Sequence, residues 1–442
     1  MHPLISVIAS KRTERAMLVN ISREYNISRV LLSCLGLWPI QSKFAKRFLP
    51  SFCFIVDISF VPLEILTLYK HGHDGQMIFE CLYQMVVTAI FLVKLLNQLL
   101  NYNKIQQLYE TMETHWNIFT SDFEVQILKR YSHVAHQFTI FYSVMIYILA
   151  VMFITIPSLG PMLLDVLLPL NKSRPKNIAT FTDYGVDQDE YFVPIFLYTS
   201  LMIVVGITIL VATDTMHVSC TVHACGLFQI IGYEVENIIS IARMGEQVNN
   251  IQRTKTGYER FTEKQIYQEY ILCLKKHQLA LEYVKVLNDT YKYVGISFTL
   301  LIGATFTLIG VRIVYVLDQI GELIKFAFII MGAMLHLIIV CYTGQKLMNE
   351  SENIFHRAYS AEWYNFSPRL KSLLVIFCHK SLVPAKVTAG NLFPLSMQVF
   401  ATPKRQKSLL LTTLYQSIGL CGLTSSKLIL MSLKSSNISK IL

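Results

Sequence analysis

The chain has 442 residues, of which 53% are hydrophobic and 15% are charged, against about 25% charged in an ordinary soluble domain. That imbalance excludes a typical soluble enzyme and sets a helical membrane protein as the first expectation. The net charge of +10 is compatible with nucleic acid, but cytoplasmic loops facing anionic lipid carry the same excess, so its placement must decide.

Residues 1–47 hold eight Lys and Arg, five of them within 1–29 (Lys11, Arg12, Arg15, Arg23 and Arg29). They lack the short apolar core and small-residue cleavage site of a secretion signal. The expectation is a cytoplasmic segment leading into a retained first span. Six stretches reach the roughly 20 mostly apolar residues that a bilayer crossing needs: 48–69, 77–100, 134–156, 192–213, 294–317 and 323–344. A seventh, 373–402, is interrupted by Lys380, Pro384, Lys386, Gly390 and Pro394. It reads as two half-helices, 373–381 and 392 onward, joined by a polar elbow. Broken membrane segments survive only where protein or a water-filled cavity covers the freed backbone groups, so this one is a candidate pore or site element.

Orientation follows from the basic residues. The N-terminal segment and the second, fourth and sixth loops hold 23 Lys and Arg, while the first, third and fifth hold four. Setting aside the long fourth loop, which the positive-inside rule weights weakly, leaves 15 against four. The fold class is therefore all-α, a seven-transmembrane helical protein with an intracellular N-terminus and a broken seventh span. Its expected parts are the segment 1–47, spans one to four in 48–213, cytoplasmic amphipathic helices in 214–287, spans five to seven in 288–402, and a tail, 403–442. The third loop agrees with this orientation, being acidic through Asp183, Asp187, Asp189 and Glu190 and carrying a glycosylation sequon at Asn171. The sequons at Asn20 and Asn26 fall on the inner side and are expected to stay bare.

The 214–287 loop is too long for an unstructured connection. Leu227, Ile231, Val235 and Ile238, then Ile266, Tyr270, Cys273, Leu281 and Val284, are spaced for helices, the second running into span five without a breaker. Their apolar stripes need cover, from each other, the bilayer surface or a second subunit, and subunit assembly is favoured over the bilayer surface. Within the loop, HVSCTVHAC offers His217, Cys220, His223 and Cys225 to a tetrahedral zinc. On a helix Cys225 leaves the face shared by the others, so packing is the preferred reading and no metal or cofactor is expected. The nine cysteines lack the spacing of a disulfide framework and read mostly as small apolar fillers.

No phosphate-cradling glycine loop, His-Glu-x-x-His or Gly-x-Ser-x-Gly occurs, and no enzyme is expected. Of the charged residues within spans, Glu64, Glu80, Lys94 and Arg312 lie near predicted ends, where snorkelling to the interface is the common explanation. Asp57 sits mid-span, where a functional role is the default. Aromatic residues gather toward the outer halves of the spans. Tyr83, Tyr147, Phe153, Phe192, Phe196, Tyr198 and Phe326 are candidates for an apolar, aromatic-lined pocket, against the plainer alternative of an interfacial belt.

Three stretches resemble the insect odorant receptor family. RVLLSCLGLWP at 29–39 is similar to its Gly-x-Trp-Pro run before span one, and HACGLFQIIGYEVE at 223–236 to its signature after span four. WYNFSPRLKSLLVIFCHKSLVPAKVTAGNLFPLSMQVF at 363–400 resembles its C-terminal signature: Trp-Tyr, Pro-Arg-Leu, a basic-Ser pair, Thr-Ala-Gly and a Phe-Pro-Leu-Ser helix start. The resemblance implies a ligand-gated cation channel subunit detecting small volatile apolar odorants. It would assemble with a common co-receptor, as a hetero-oligomeric tetramer, in the plasma membrane of sensory neuron dendrites, with membrane lipid but not nucleic acid as a further partner. It also implies a pocket among spans two, three, four and six, and a pore lined by the second half of span seven, hence Leu395, Gln398, Val399 and Thr402. The Thr-Tyr and Gln-Phe signature of the sister gustatory receptors is missing. A G-protein-coupled receptor would need the opposite orientation, and a transporter would need internal repeats that the chain lacks.

The resemblance stops after Thr402. From Pro403 onward come six basic residues, eight serines and no acidic residue, with Pro403 blocking helix continuation. This basic tail on the predicted outer side contradicts the charge rule, and the expectation is a replaced last coding segment that leaves the pore helix incomplete.

Overall fold

The computed structural model describes residues 19–167, 178–239 and 255–401. Its elements are α1 (Val19–Glu24), α2 (Asn26–Cys34), α3 (Lys43–His71), α4 (Gly75–Leu100), α5 (Tyr102–Ile118), α6 (Asp122–Leu167), α7 (Phe192–Glu236), α8 (Lys255–Tyr315), α9 (Ile320–Ser360), α10 (Pro368–Ser381), β1 (Thr388–Ala389), β2 (Phe393–Pro394) and α11 (Met397–Ala401). Six of these, α3, α4 and α6 to α9, are long and apolar enough to cross a membrane, in line with the six continuous spans read from the sequence. Asn171, Thr402 and the tail 403–442 lie outside the described residues.

Helix starts follow local chemistry. Ser42 caps α3 by accepting from the Ala45 N–H at 3.2 Å, Asp74 caps α4 by accepting from Gln76 N at 2.9 Å, and Ser367 precedes Pro368 at the first helical position of α10. Beyond the apolar stretches the helices do not stop. Helix α7 passes Thr213 without a break and runs to Glu236, and α8 enters its span from Lys255. Residues 214–236 and 255–287 are therefore helical extensions of spans four and five.

These extensions cover each other's stripes. The Cys273 thiol approaches the Ile231 carbonyl at 3.7 Å, Tyr283 donates to the Cys220 carbonyl at 3.2 Å, and Tyr270 packs edge-on against Phe366 and Phe377. Of the covers considered, the two helices themselves thus supply one for these faces. All four residues of the zinc candidate are buried in this core. His217 lies against Tyr291, with ring centroids 4.5 Å apart; His223 stacks on His115; and the Cys220 sulfur contacts that of Met112 at 3.7 Å. Among the described residues the eight cysteines are all free, six of them buried.

The seventh segment departs from two half-helices. After α10 the chain turns through a short antiparallel hairpin, with Thr388 opposite Pro394 and Ala389 opposite Phe393, and helix resumes only at Met397, not Leu392. The hairpin is held to α8, where Asn288 Oδ1 accepts from Thr388 N at 2.8 Å and the Lys292 carbonyl accepts from Gly390 N at 2.8 Å. Its turn needs Gly390 at φ +59°, a conformation most residues avoid. On α9, Gly344 admits the Leu395 backbone so closely that a Cβ there would fall 2.0 Å from the Leu395 oxygen.

Candidate functional site

An apolar cavity lies within the bundle, walled by α3, α4, α6, α7, α8 and α9. Its volume is about 170 Å³, counted as the space open to the centre of a water molecule. One water needs roughly 10–15 Å³ on that measure, so the space suits a single small molecule. Phe60, Tyr83, Phe91, Phe153, Phe298 and Phe328 give it an aromatic wall, filled in by Ile146, Leu149, Met202, Ile203, Ile207, Ile302 and Ile329. Polar groups are few: Glu64, Gln84, Thr88, Thr180, Thr305 and His336.

Of the aromatic candidates, Tyr83 and Phe153 line this cavity. The other five do not line it. Phe326 packs edge-on against Tyr83, centroids 5.6 Å apart; Tyr147 donates to Thr208 Oγ1 at 3.1 Å; Tyr198 and Ser59 share a hydroxyl hydrogen bond at 2.7 Å; Phe192 stacks on Phe196. Grouping aromatics by depth missed Phe60, Phe91 and Phe298, because depth does not say which face of a helix turns inward. The signal available was helical phase: Phe60 and Glu64 are four apart on one face of α3.

Two buried charge networks bracket the cavity and overturn the snorkelling assignment. In the first, Glu80 on α4 pairs with Arg312 of α8 at 3.1 Å and Lys325 of α9 at 2.9 Å, and it accepts from the Tyr83 hydroxyl at 3.0 Å. In the second, Asp214 of α7 takes Lys94 of α4, the Tyr142 hydroxyl of α6 at 3.0 Å and His336 of α9 at 2.8 Å. None of these charged residues is more than 6% exposed, so they are paired inside the protein and do not reach the interface. Asp57 is fully buried, with both carboxyl oxygens unpaired among the described residues, and does not line the cavity.

His336 and Phe298 form the floor of the main cavity and the roof of a smaller space of about 60 Å³, whose lining includes Lys94, Asp214 and, from the seventh segment, Leu395. The main cavity and the broken span are thus separated by one layer of side chains. Among the remaining pore candidates, Val399 is half-buried, with its N–H 3.3 Å from Ser396 Oγ, and Gln398 is exposed. Away from the bundle interior, Lys70 donates to Asp183 at 2.9 Å, which holds that carboxyl below its usual range and ties the end of α3 to the 178–191 loop.

Six long apolar helices around an apolar cavity define a multi-pass helical membrane protein. The sequence profile of the 7tm odorant receptor family matches residues 75–403, and the chain belongs to that family. The match ends beside Thr402, where the C-terminal signature also stops. Among curated relatives, odorant receptor 42b of Drosophila melanogaster is 28% identical over 141 residues, 31% of this chain and 35% of that protein. The odorant receptor coreceptor of the same species is 25% identical over 133 residues, 29% of this chain and 26% of that one. The matched stretches therefore span about a third of these relatives or less. Among solved structures, the insect olfactory receptor OR5 from Machilis hrabei in complex with eugenol superposes with a TM-score of 0.68 at 12% identity, covering 89% of this chain and 97% of that one. That likeness establishes the shared fold.

Proposed function

We propose that the chain is the odorant-binding subunit of a ligand-gated cation channel in the plasma membrane of olfactory sensory neurons, at the dendrite, assembled with a co-receptor subunit. The observation that carries this reading is the apolar cavity of about 170 Å³ inside a chain of the odorant receptor family, set one side-chain layer above Leu395. The OR5 structure was solved with eugenol, a small aromatic molecule, which supports a ligand of similar size here. The N-terminus is proposed to face the cytoplasm, the extensions of α7 and α8 to belong to the assembly region, and Leu395, Gln398, Val399 and Thr402 to border the pore.

Gating is a population shift. A ligand that binds the open arrangement more tightly than the closed one moves the equilibrium by that difference alone. With mostly apolar walls, binding energy scales with buried area at about 25 cal/mol per Å², so neighbouring homologues differ by about 1–3 kcal/mol and tuning is broad. Calcium imaging and current recording of the 442-residue chain, with and without the co-receptor, over an odorant panel test the reading. Odorant-evoked cation current that requires this chain is expected; silence across the panel, with both subunits at the cell surface, overturns it. The same recording shows whether residues 403–442 are compatible with a working pore.

A further inference from the structure

Away from His336, the cavity wall carries a second polar cluster. Within it Gln84 of α4, with its amide oriented to satisfy both atoms, pairs with the Phe181 backbone at 3.1 Å in both directions. One turn further along α4, the Thr88 hydroxyl donates to Glu64 Oε1 of α3 at 3.2 Å. The second carboxyl oxygen of Glu64 is buried and has no hydrogen-bond partner among the described residues. Glu64 itself is 1% exposed and lines the cavity. The cations Arg312 and Lys325 are engaged by Glu80. No counter-charge meets Glu64 among the described residues, and an ionised carboxyl stripped of water without one is too costly to keep, so the group sits in this wall as the neutral acid, with a hydroxyl to give.

We infer that Glu64 is the polar anchor of the cavity, and that its ligands are small molecules carrying one hydrogen-bond-accepting oxygen, such as the carbonyl of a ketone, aldehyde or ester, on an apolar body. The oxygen takes the free Glu64 hydroxyl, and the body lies among Phe91, Phe298 and their neighbours. A purely hydrocarbon ligand fills the same walls but leaves that hydroxyl unpaired in a dry site, and a buried polar group left without its partner is what makes such a site discriminate. Glu64 is then the residue that turns a generally apolar cavity into one with a chemical preference. This inference rests on the odorant-binding reading above.

The test uses the full chain with the co-receptor and four ligands of equal chain length: an alkane, a methyl ketone, an ester and a primary amine. Wild type is expected to respond at lower concentration to the ketone and ester than to the alkane. Glu64→Leu should raise the half-maximal concentration for the carbonyl compounds by about tenfold while leaving the alkane unchanged. Glu64→Gln, which keeps an N–H donor in the same place, should retain most of the carbonyl response. An equal shift for all ligands in Glu64→Leu, or collapse of the carbonyl response in a folded Glu64→Gln, overturns the assignment. So does a wild-type preference for the amine that Glu64→Gln abolishes, since that reports a carboxylate paired with an ammonium. Ligand-induced thermal stabilisation of the purified chain reads binding without gating. A chain that binds ketone through Glu64 yet passes no current sinks the channel reading and keeps the anchor; one that gates without distinguishing ketone from alkane does the reverse.

Discussion

Asp214 and Asp57 are both carboxyls inside membrane-length helices, yet their surroundings assign them opposite roles. Asp214 is the counter-charge of Lys94 and His336, and removing one partner of a buried pair leaves an uncompensated charge at a cost of about 3–5 kcal/mol. Asp214→Ala should therefore lower the thermal midpoint of the solubilised protein sharply, whereas Asp57→Asn, which breaks no hydrogen bond among the described residues, should leave it nearly unchanged. A preserved midpoint with a lost odorant response in Asp57→Asn would assign that residue a role in function. His115 supplies a pH prediction. Burial against His223, Phe119 and Tyr283 lowers its pKa from 6.5 to about 4. The folded state therefore holds fewer protons than the unfolded chain between those values, and stability is intact above pH 6.5 and falls as pH drops toward 4, by up to about 3 kcal/mol. Thermal melts from pH 7.5 to 5 should show this loss, and His115→Phe should reduce its slope.

At the scale of elements, the apolar runs marked where helices cross a membrane but not where they end. Nothing at Thr213 breaks the backbone, so α7 continues until Glu236, and the periodic Leu227, Ile231 and Val235 are buried in a core that α8 and α10 of the same chain also enter. The broken seventh segment was legible through its glycine and prolines, but the hairpin was not. It depends on Asn288 and Lys292, about a hundred residues earlier, which accept its backbone N–H groups. Gly344 is the most restrictive contact of this segment. A methyl group there meets the Leu395 carbonyl oxygen and must displace the strand that leads into α11. Gly344→Ala should reach the cell surface in near-normal amount and show lost or strongly reduced odorant current; unchanged current would mean that the Leu395 segment moves aside without consequence.

For the whole molecule, the distribution of Lys and Arg predicts the orientation. An epitope tag on the N-terminus should stain only in permeabilised cells, and staining of intact cells would reverse the proposed topology and favour a G-protein-coupled arrangement. The sequence by itself determined the all-α membrane architecture, the six continuous spans and the family, because crossing a bilayer demands about 20 consecutive apolar residues and the C-terminal signature is contiguous in the chain. Only the tertiary structure decided which aromatics face the cavity, that Glu80, Lys94 and Arg312 are paired inside the bundle, and that one carboxyl oxygen of Glu64 has no hydrogen-bond partner among the described residues. Those facts depend on rotations of helices about their own axes and on partners more than a hundred residues away, such as Asp214 for Lys94 and Arg312 for Glu80, and neither is written in local hydropathy.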